Sequence, residues 1–182
     1  MNQLTTVPAS SALTRAAVAG ARTPRTRKTT GSSRTADKFL IRGFAELFDE
    51  VGCIGLDHGR SANAEVVLAI LDALSGQKKS ASEVRILRFY LGEDVANQVL
   101  SEIPQFTLDS CKEEKRFVVR FPPAVRDKIR EGVRAVEEDT FKAPNMNEWV
   151  LKALADWVNV QRQHHALLSA AVAMDQHRLE AR

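Results

Sequence analysis

Lys38-Phe39-Leu40-Ile41-Arg42 recurs as Arg116-Phe117-Val118-Val119-Arg120. Each copy reads basic, Phe, apolar, β-branched, Arg. Each is followed by a segment of helical period and then by a second helix start. That start is Ser61-Ala62-Asn63-Ala64-Glu65 in the first copy and Asn145-Met146-Asn147-Glu148 in the second. A strand-helix-helix unit repeated within one chain constrains the fold more than any single motif. One such unit, roughly 40 residues, is too small for a self-sufficient core. A lone strand would also leave its backbone groups unpaired. Two units solve both problems by pairing strand with strand over a shared core. The expected architecture is mostly α with short β: a two-stranded antiparallel ribbon standing on helices, with a helical insert.

Outward from the first copy, residues 37–44 alternate in strand fashion. Phe39, Ile41 and Gly43 share one side; Lys38, Leu40 and Arg42 share the other. Gly43 stands where a core aromatic would add packing. A helix is expected over 45–56, with Leu47, Val51 and Ile54 at i, i+4, i+7, weakened by Gly52 and Gly55. His58-Gly59-Arg60 reads as its end and turn. Ser61 is a good N-cap for a helix over 62–75. Val67, Leu71 and Leu74 would line its apolar face, with Val66 and Ile70 beside them.

In the second copy Phe117, Val119 and Phe121 alternate with Arg116, Val118 and Arg120. Pro122-Pro123 suits a first helical turn and not a paired strand. Val125, Ile129, Val133 and Val136 predict a helix over 124–138, followed by a loop closed by Pro144. A last helix starts near Met146 on Val150 or Leu151, Leu154 and Trp157 or Val158. It runs through Leu168 and Val172 towards the C-terminus. Its last third exceeds what its own unit needs and is expected to dock on a partner chain. Between the copies, residues 80–104 form a helical hairpin or one kinked helix. Ser80 and Glu83 are spaced as a capping box, Gly92 interrupts the pattern and Pro104 stops it. Packing on the main core is the expected role. The organisation is a basic tail (1–36), copy one (37–76), an insert and linker (77–111), copy two (112–160) and a C-terminal extension (161–182).

The chain has 182 residues, 44% hydrophobic and 27% charged, with a net charge of +3. Residues 1–36 hold Arg15, Arg22, Arg25, Arg27, Lys28 and Arg34 and no acid, so the remaining 146 residues carry −3. The tail is rich in Ser, Thr, Ala and Arg and is expected to be disordered. It reads as an arm on DNA phosphates, a passive solubilising tail or a transit peptide. No apolar run approaches the roughly 20 residues of a membrane-spanning helix, so no membrane partner is expected. Cys53 and Cys111 form no CxxC pattern and suggest a reducing cytoplasm. Cys53 is expected to be buried and Cys111 to be a loop thiol. Trp149 and Trp157 are expected in the core or at a subunit contact.

The two copies together resemble the ribbon-helix-helix DNA-binding proteins of the Arc repressor type, in the tandem arrangement of TraY-like proteins. The first copy carries the strand 38–42 and Gly59-Arg60-Ser61-Ala62-Asn63-Ala64-Glu65 at the family's spacing. The second keeps Arg120-Phe121-Pro122 but spaces its helix start wider: Phe39 to Ser61 is 22 residues, Phe117 to Asn145 is 28. Glu148 also lies one place nearer its Asn than Glu65 does. The resemblance implies a bacterial cytoplasmic protein, associated with the nucleoid or a plasmid, whose ribbon enters the major groove of double-stranded DNA. Each base pair there shows a distinct donor and acceptor pattern. Base contacts then fall to Lys38, Leu40, Arg42, Arg116, Val118 and Arg120. Phosphate contacts fall to Ser61, Asn63, Asn145 and Asn147 at helix N-termini, where exposed N–H groups and the dipole favour an anion.

Residues 38–75 carry a net of −3 and residues 112–162 a net of +2, so copy two is expected to dominate binding. His164, His165 and His177 lack a ligand pattern of set spacing. No phosphate loop, triad spacing or paired carboxylates are present. Neither catalysis, a cofactor nor a metal is expected. The expected function is a transcriptional regulator, a repressor, possessing no enzymatic activity. The alternatives are an accessory protein of plasmid transfer or partition, and an antitoxin-type interaction module. The C-terminal helix is the expected surface for a homo-oligomer or another protein.

Overall fold

The alternating stretches form two strands, β1 (Asp37–Phe44) and β2 (Glu114–Phe121), paired antiparallel within one chain. The register sets Lys38 opposite Arg120, Leu40 opposite Val118 and Arg42 opposite Arg116. These six side chains share the outer face. Phe39, Ile41, Phe117, Val119 and Phe121 turn inward, and Ile41, Val119 and Phe121 are buried. Phe39 stacks on Phe121 with ring centroids 6.1 Å apart. The computed structural model describes residues 37–121, 124–140 and 145–180. The basic tail, Pro122-Pro123 and Pro144 lie outside the described residues, as does the side chain of Val136.

Two helices follow each strand. Copy one supplies α1 (Ala45–Asp57) and α2 (Ala62–Leu74). The insert forms α3 (Lys78–Leu91) and α4 (Glu93–Ser101). Copy two supplies α5 (Val125–Thr140) and α6 (Met146–Glu180). The described residues belong to one compact unit, Ala36–Arg182. Its core takes Ile41, Val119 and Phe121 from the strands and Leu47, Val51, Val66, Ile70, Ile129, Val150, Leu154 and Val158 from the four flanking helices. Each such aliphatic burial is worth about 1.5–3 kcal/mol, which neither copy collects alone.

Helix α1 ends at Gly59, whose φ of +66° is open to glycine without strain. Gly59 N–H donates to Leu56 O at 2.9 Å and Arg60 N–H to Gly55 O at 2.7 Å, which closes the last carbonyls. The opposite requirement holds at Gly43. A Cβ there would lie 2.6 Å from Leu151 Cδ2 and 3.0 Å from Phe48 Cζ. An aromatic at this position would therefore have no room, contrary to the expectation from the strand pattern.

Other expectations need correction. The buried face of α2 is Val66, Ala69 and Ile70, while Leu71 is exposed and Val67 and Leu74 are half-buried. The two stripes sit one residue apart on one apolar run, and packing against α1, α6 and the ribbon selects the first. Ser80 does not open a capping box. Helix α3 begins at Lys78, and Ser80 is buried in its first turn, donating its hydroxyl to Asp72 Oδ2 at 2.6 Å. Asp72 Oδ1 also accepts the Ser80 N–H at 3.4 Å, so an acid on α2 caps α3. Cys53 is exposed, not buried.

The insert avoids the main core and packs on α6. Leu91 and Ala96 join Leu167 and Ala171 in a second buried cluster, flanked by Val84, Leu87, Val99 and Met174. One face of the C-terminal third of α6 is thus covered from within the chain. Asn159 fastens the linker: it accepts the Phe106 N–H at 2.7 Å and donates to the Phe106 carbonyl at 3.0 Å. Among the described residues no helix is long and apolar enough to cross a membrane.

Candidate nucleic-acid interface

The outer ribbon face reads as three cross-strand pairs. Leu40 and Val118 form the centre, 42% and 53% exposed. Lys38 with Arg120 forms one end, and Arg42 with Arg116 the other; all four are exposed. Like charges directly opposite on a sheet are unfavourable. Among the described residues, none of these four cations forms an ion pair. One position along, Lys115 does: its Nζ lies 2.9 Å from Asp49 Oδ1, which raises the Lys115 pKa. Of the ribbon's cations, the four without an ion pair among the described residues therefore lie on the outer face, around an exposed apolar pair.

The ribbon has an approximate two-fold axis through its central pair. That axis relates Lys38 to Arg116, Leu40 to Val118 and Arg42 to Arg120. The helix starts obey it too. Asn63, second residue of α2, accepts the Arg120 N–H at 2.8 Å and donates to the Arg120 carbonyl at 3.5 Å. Asn147, second residue of α6, accepts the Arg42 N–H and donates to the Arg42 carbonyl, both at 2.8 Å. Two of the three side-chain amides assigned above to phosphate, those of Asn63 and Asn147, are thus engaged by strand backbone. What these helix starts offer an anion is their backbone N–H groups.

The caps differ. Ser61 Oγ accepts the Ala64 N–H at 3.3 Å. Asn145 Oδ1 accepts the Glu148 N–H at 2.9 Å while Glu148 Oε2 accepts the Asn145 N–H at 3.2 Å. That reciprocal pair is a capping box, and it places an exposed carboxylate in the first turn of α6. In copy one the matching acid, Glu65, lies one residue later and is fully buried. Its Oε2 accepts from Arg60 Nε at 2.8 Å and its Oε1 from Trp157 Nε1 at 2.9 Å. This cluster joins the turn before α2 to α6 of the other repeat. The sequence reading missed it. An acid inside the apolar face of α2, five residues after an arginine, was the available signal.

Among the described residues no group of three or more His, Cys, Asp or Glu side chains could hold a metal. His165 and His177 are exposed on α6. Compared with family models, with curated proteins and with solved structures, the chain finds no match.

Proposed function

We propose that this chain is a tandem ribbon-helix-helix protein that binds double-stranded DNA sequence-specifically, its ribbon in the major groove, and acts as a transcriptional repressor. The observation that carries the reading is the outer ribbon face. Four cations that form no ion pair among the described residues surround an exposed Leu40–Val118 pair. Arg and Lys suit guanine O6 and N7, and an apolar pair suits thymine methyls. Helix starts at both ends of the ribbon offer backbone N–H groups to flanking phosphates. The strand of each repeat followed by two helices, sharing one core, supports the family resemblance.

Selection from a random duplex library with the full chain tests this reading. A defined duplex motif should emerge, and binding to it should fall steeply with salt. Arg120→Ala should cost about 1–3 kcal/mol on that motif. Preference for single strands, or equal loss on motif and random duplex, would count against base readout. A motif beside a promoter fits repression; one at a transfer origin fits the plasmid role. Ile86 and Phe89 on α3, with Leu168 and Val172 on α6, remain exposed, and this favours a second, antitoxin-like role in binding a protein. Co-purification of a discrete partner that is lost on Phe89→Glu tests it.

A further inference from the structure

We infer that the two ends of the ribbon are inequivalent readers, so that one chain recognises an asymmetric site in a fixed orientation, with Lys38 and Arg116 setting the polarity. This inference rests on the DNA-binding reading and deepens it. A ribbon made of two identical strands would present the same residues at both ends and read an inverted repeat. Here both strands belong to one chain and differ. The two-fold axis relates Arg42 to Arg120, which are identical. Each is held by the same device, an asparagine bonded to its backbone N–H and carbonyl. These two arginines therefore present equivalent side chains to the two halves of a site.

The remaining cations are not equivalent. Lys38 faces Arg120, and its two-fold counterpart Arg116 faces Arg42. One end thus carries Lys with Arg, the other two guanidinium groups. These four cations contribute equal charge to the two ends, so their count does not distinguish them. The geometry of hydrogen bonding does. A guanidinium offers a rigid fork that matches guanine O6 and N7 together; an ammonium is a compact point charge on a flexible stem. The Arg42–Arg116 end can hold two bidentate guanine contacts, the Lys38–Arg120 end one. The Arg42–Arg116 end also borders a hollow of about 500 Å³ that both arginines line, together with Gly43, Glu114 and Leu151 among others. Leu40 against Val118 adds a smaller asymmetry at the centre.

The test compares sequences selected by the wild-type chain, Lys38→Arg and Arg116→Lys from one random duplex library. The wild-type motif should hold a guanine facing Arg116 with no guanine preference at the related position facing Lys38. Replacing that guanine should weaken binding about tenfold or more. The matching replacement at the Lys38 end should weaken it less than about threefold. Lys38→Arg should make the motif an inverted repeat with guanine in both halves. Arg116→Lys should remove the preference from the half that had it. Both variants keep an exposed cation, and unchanged thermal unfolding would confirm that each folds. A wild-type motif with equal guanine preference in both halves would overturn the polarity, as would a motif that Lys38→Arg leaves unchanged. Enrichment of no duplex at all would instead sink the DNA-binding reading.

Discussion

Asn63 holds Arg120 by both of its backbone groups, at 2.8 Å and 3.5 Å. The two residues come from different repeats: Asn63 opens the second helix of copy one, and Arg120 lies on the strand of copy two. Asn147 returns the arrangement on Arg42. Each amide continues the hydrogen-bond ladder on the free edge of a strand, where N–H and C=O would otherwise be open. Ribbon and helix starts are thereby fixed to one another, and the arginines that project from the held positions take a defined orientation.

Replacing Asn63 or Asn147 with alanine should cost about 1–2 kcal/mol each, since the freed backbone groups regain water. In the DNA-binding reading, discrimination between selected and random duplex should fall as well. Urea unfolding and paired affinity measurements check both. Unchanged stability in both variants would show that the amide contacts contribute nothing.

The buried Glu65 carboxylate relies on Arg60, whose side chain is 37% exposed, and on Trp157. Arg60→Ala would remove the guanidinium partner and leave only the His58 imidazole, 3.9 Å from Glu65 Oε1, beside that buried charge, a loss on the order of 3 kcal/mol. Adding Glu65→Met removes the stranded charge and should recover most of the loss, although Trp157 Nε1 then lacks its acceptor. Denaturant midpoints followed by tryptophan fluorescence decide this. A double variant as unstable as Arg60→Ala would assign the effect to packing of the arginine stem.

Much of this arrangement is legible in the chain because it is local. Period-two alternation at Phe39, Ile41, Phe117, Val119 and Phe121 sets the inward face, and Ser61 and Gly59 mark the ends of helices by caps that need only neighbouring residues. What local pattern cannot show is competition between distant groups. Ser80 reads as an N-cap until Asp72 is brought beside it. The α2 stripe could begin at Val66 or Val67, and only packing against the rest of the core decides. The insert's apolar stripes show that it packs but not on what; Leu91 and Ala96 meet Leu167 and Ala171 of α6, not the main core. Asn63 and Asn147 look like phosphate ligands by position, and it is the strand of the opposite repeat that claims their amides.

Glu46 Oε1 accepts the backbone N–H groups of Lys112 at 2.8 Å and Glu113 at 3.3 Å. The Lys112 bond, with further backbone bonds from Glu46 and Glu113, outweighs desolvation and lowers its pKa. A carboxyl whose folded pKa is depressed adds stability that is present above its unfolded value. That stability is lost as pH falls through the folded one. The melting temperature should therefore drop on acidification below the ordinary glutamate range. Glu46→Gln should start lower at neutral pH and lose less on the acid side. Parallel curves for both proteins would exclude Glu46 as a source of the acid sensitivity.

Gly43 packs under Leu151, with 2.6 Å left for a Cβ. Gly43→Ala should cost about 1–3 kcal/mol through overpacking. In the Leu151→Ala background the same change should cost less, because the space it needs is already open. Non-additive unfolding energies in this double cycle are the expected result. Full additivity would mean that the strand, and not Leu151, resists the methyl group.

The exposed Glu148 carboxylate lies in the first turn of α6, where an approaching phosphate would meet the helix N–H groups. In copy one the corresponding first turn carries no free acid, because Glu65 is buried against Arg60. Glu148→Gln keeps a side-chain acceptor for the Asn145 N–H and removes the charge. Its folding cost should stay within about 0.3–1 kcal/mol, the range for one charge at a helix terminus. In the DNA-binding reading, affinity for selected and random duplex should rise by a similar factor, since a backbone contact carries no sequence information. The gain should shrink as salt screens the repulsion it relieves. A gain confined to the selected motif would move Glu148 from the phosphate backbone to the base edges, and no gain at low salt would mean that the start of α6 faces away from the duplex.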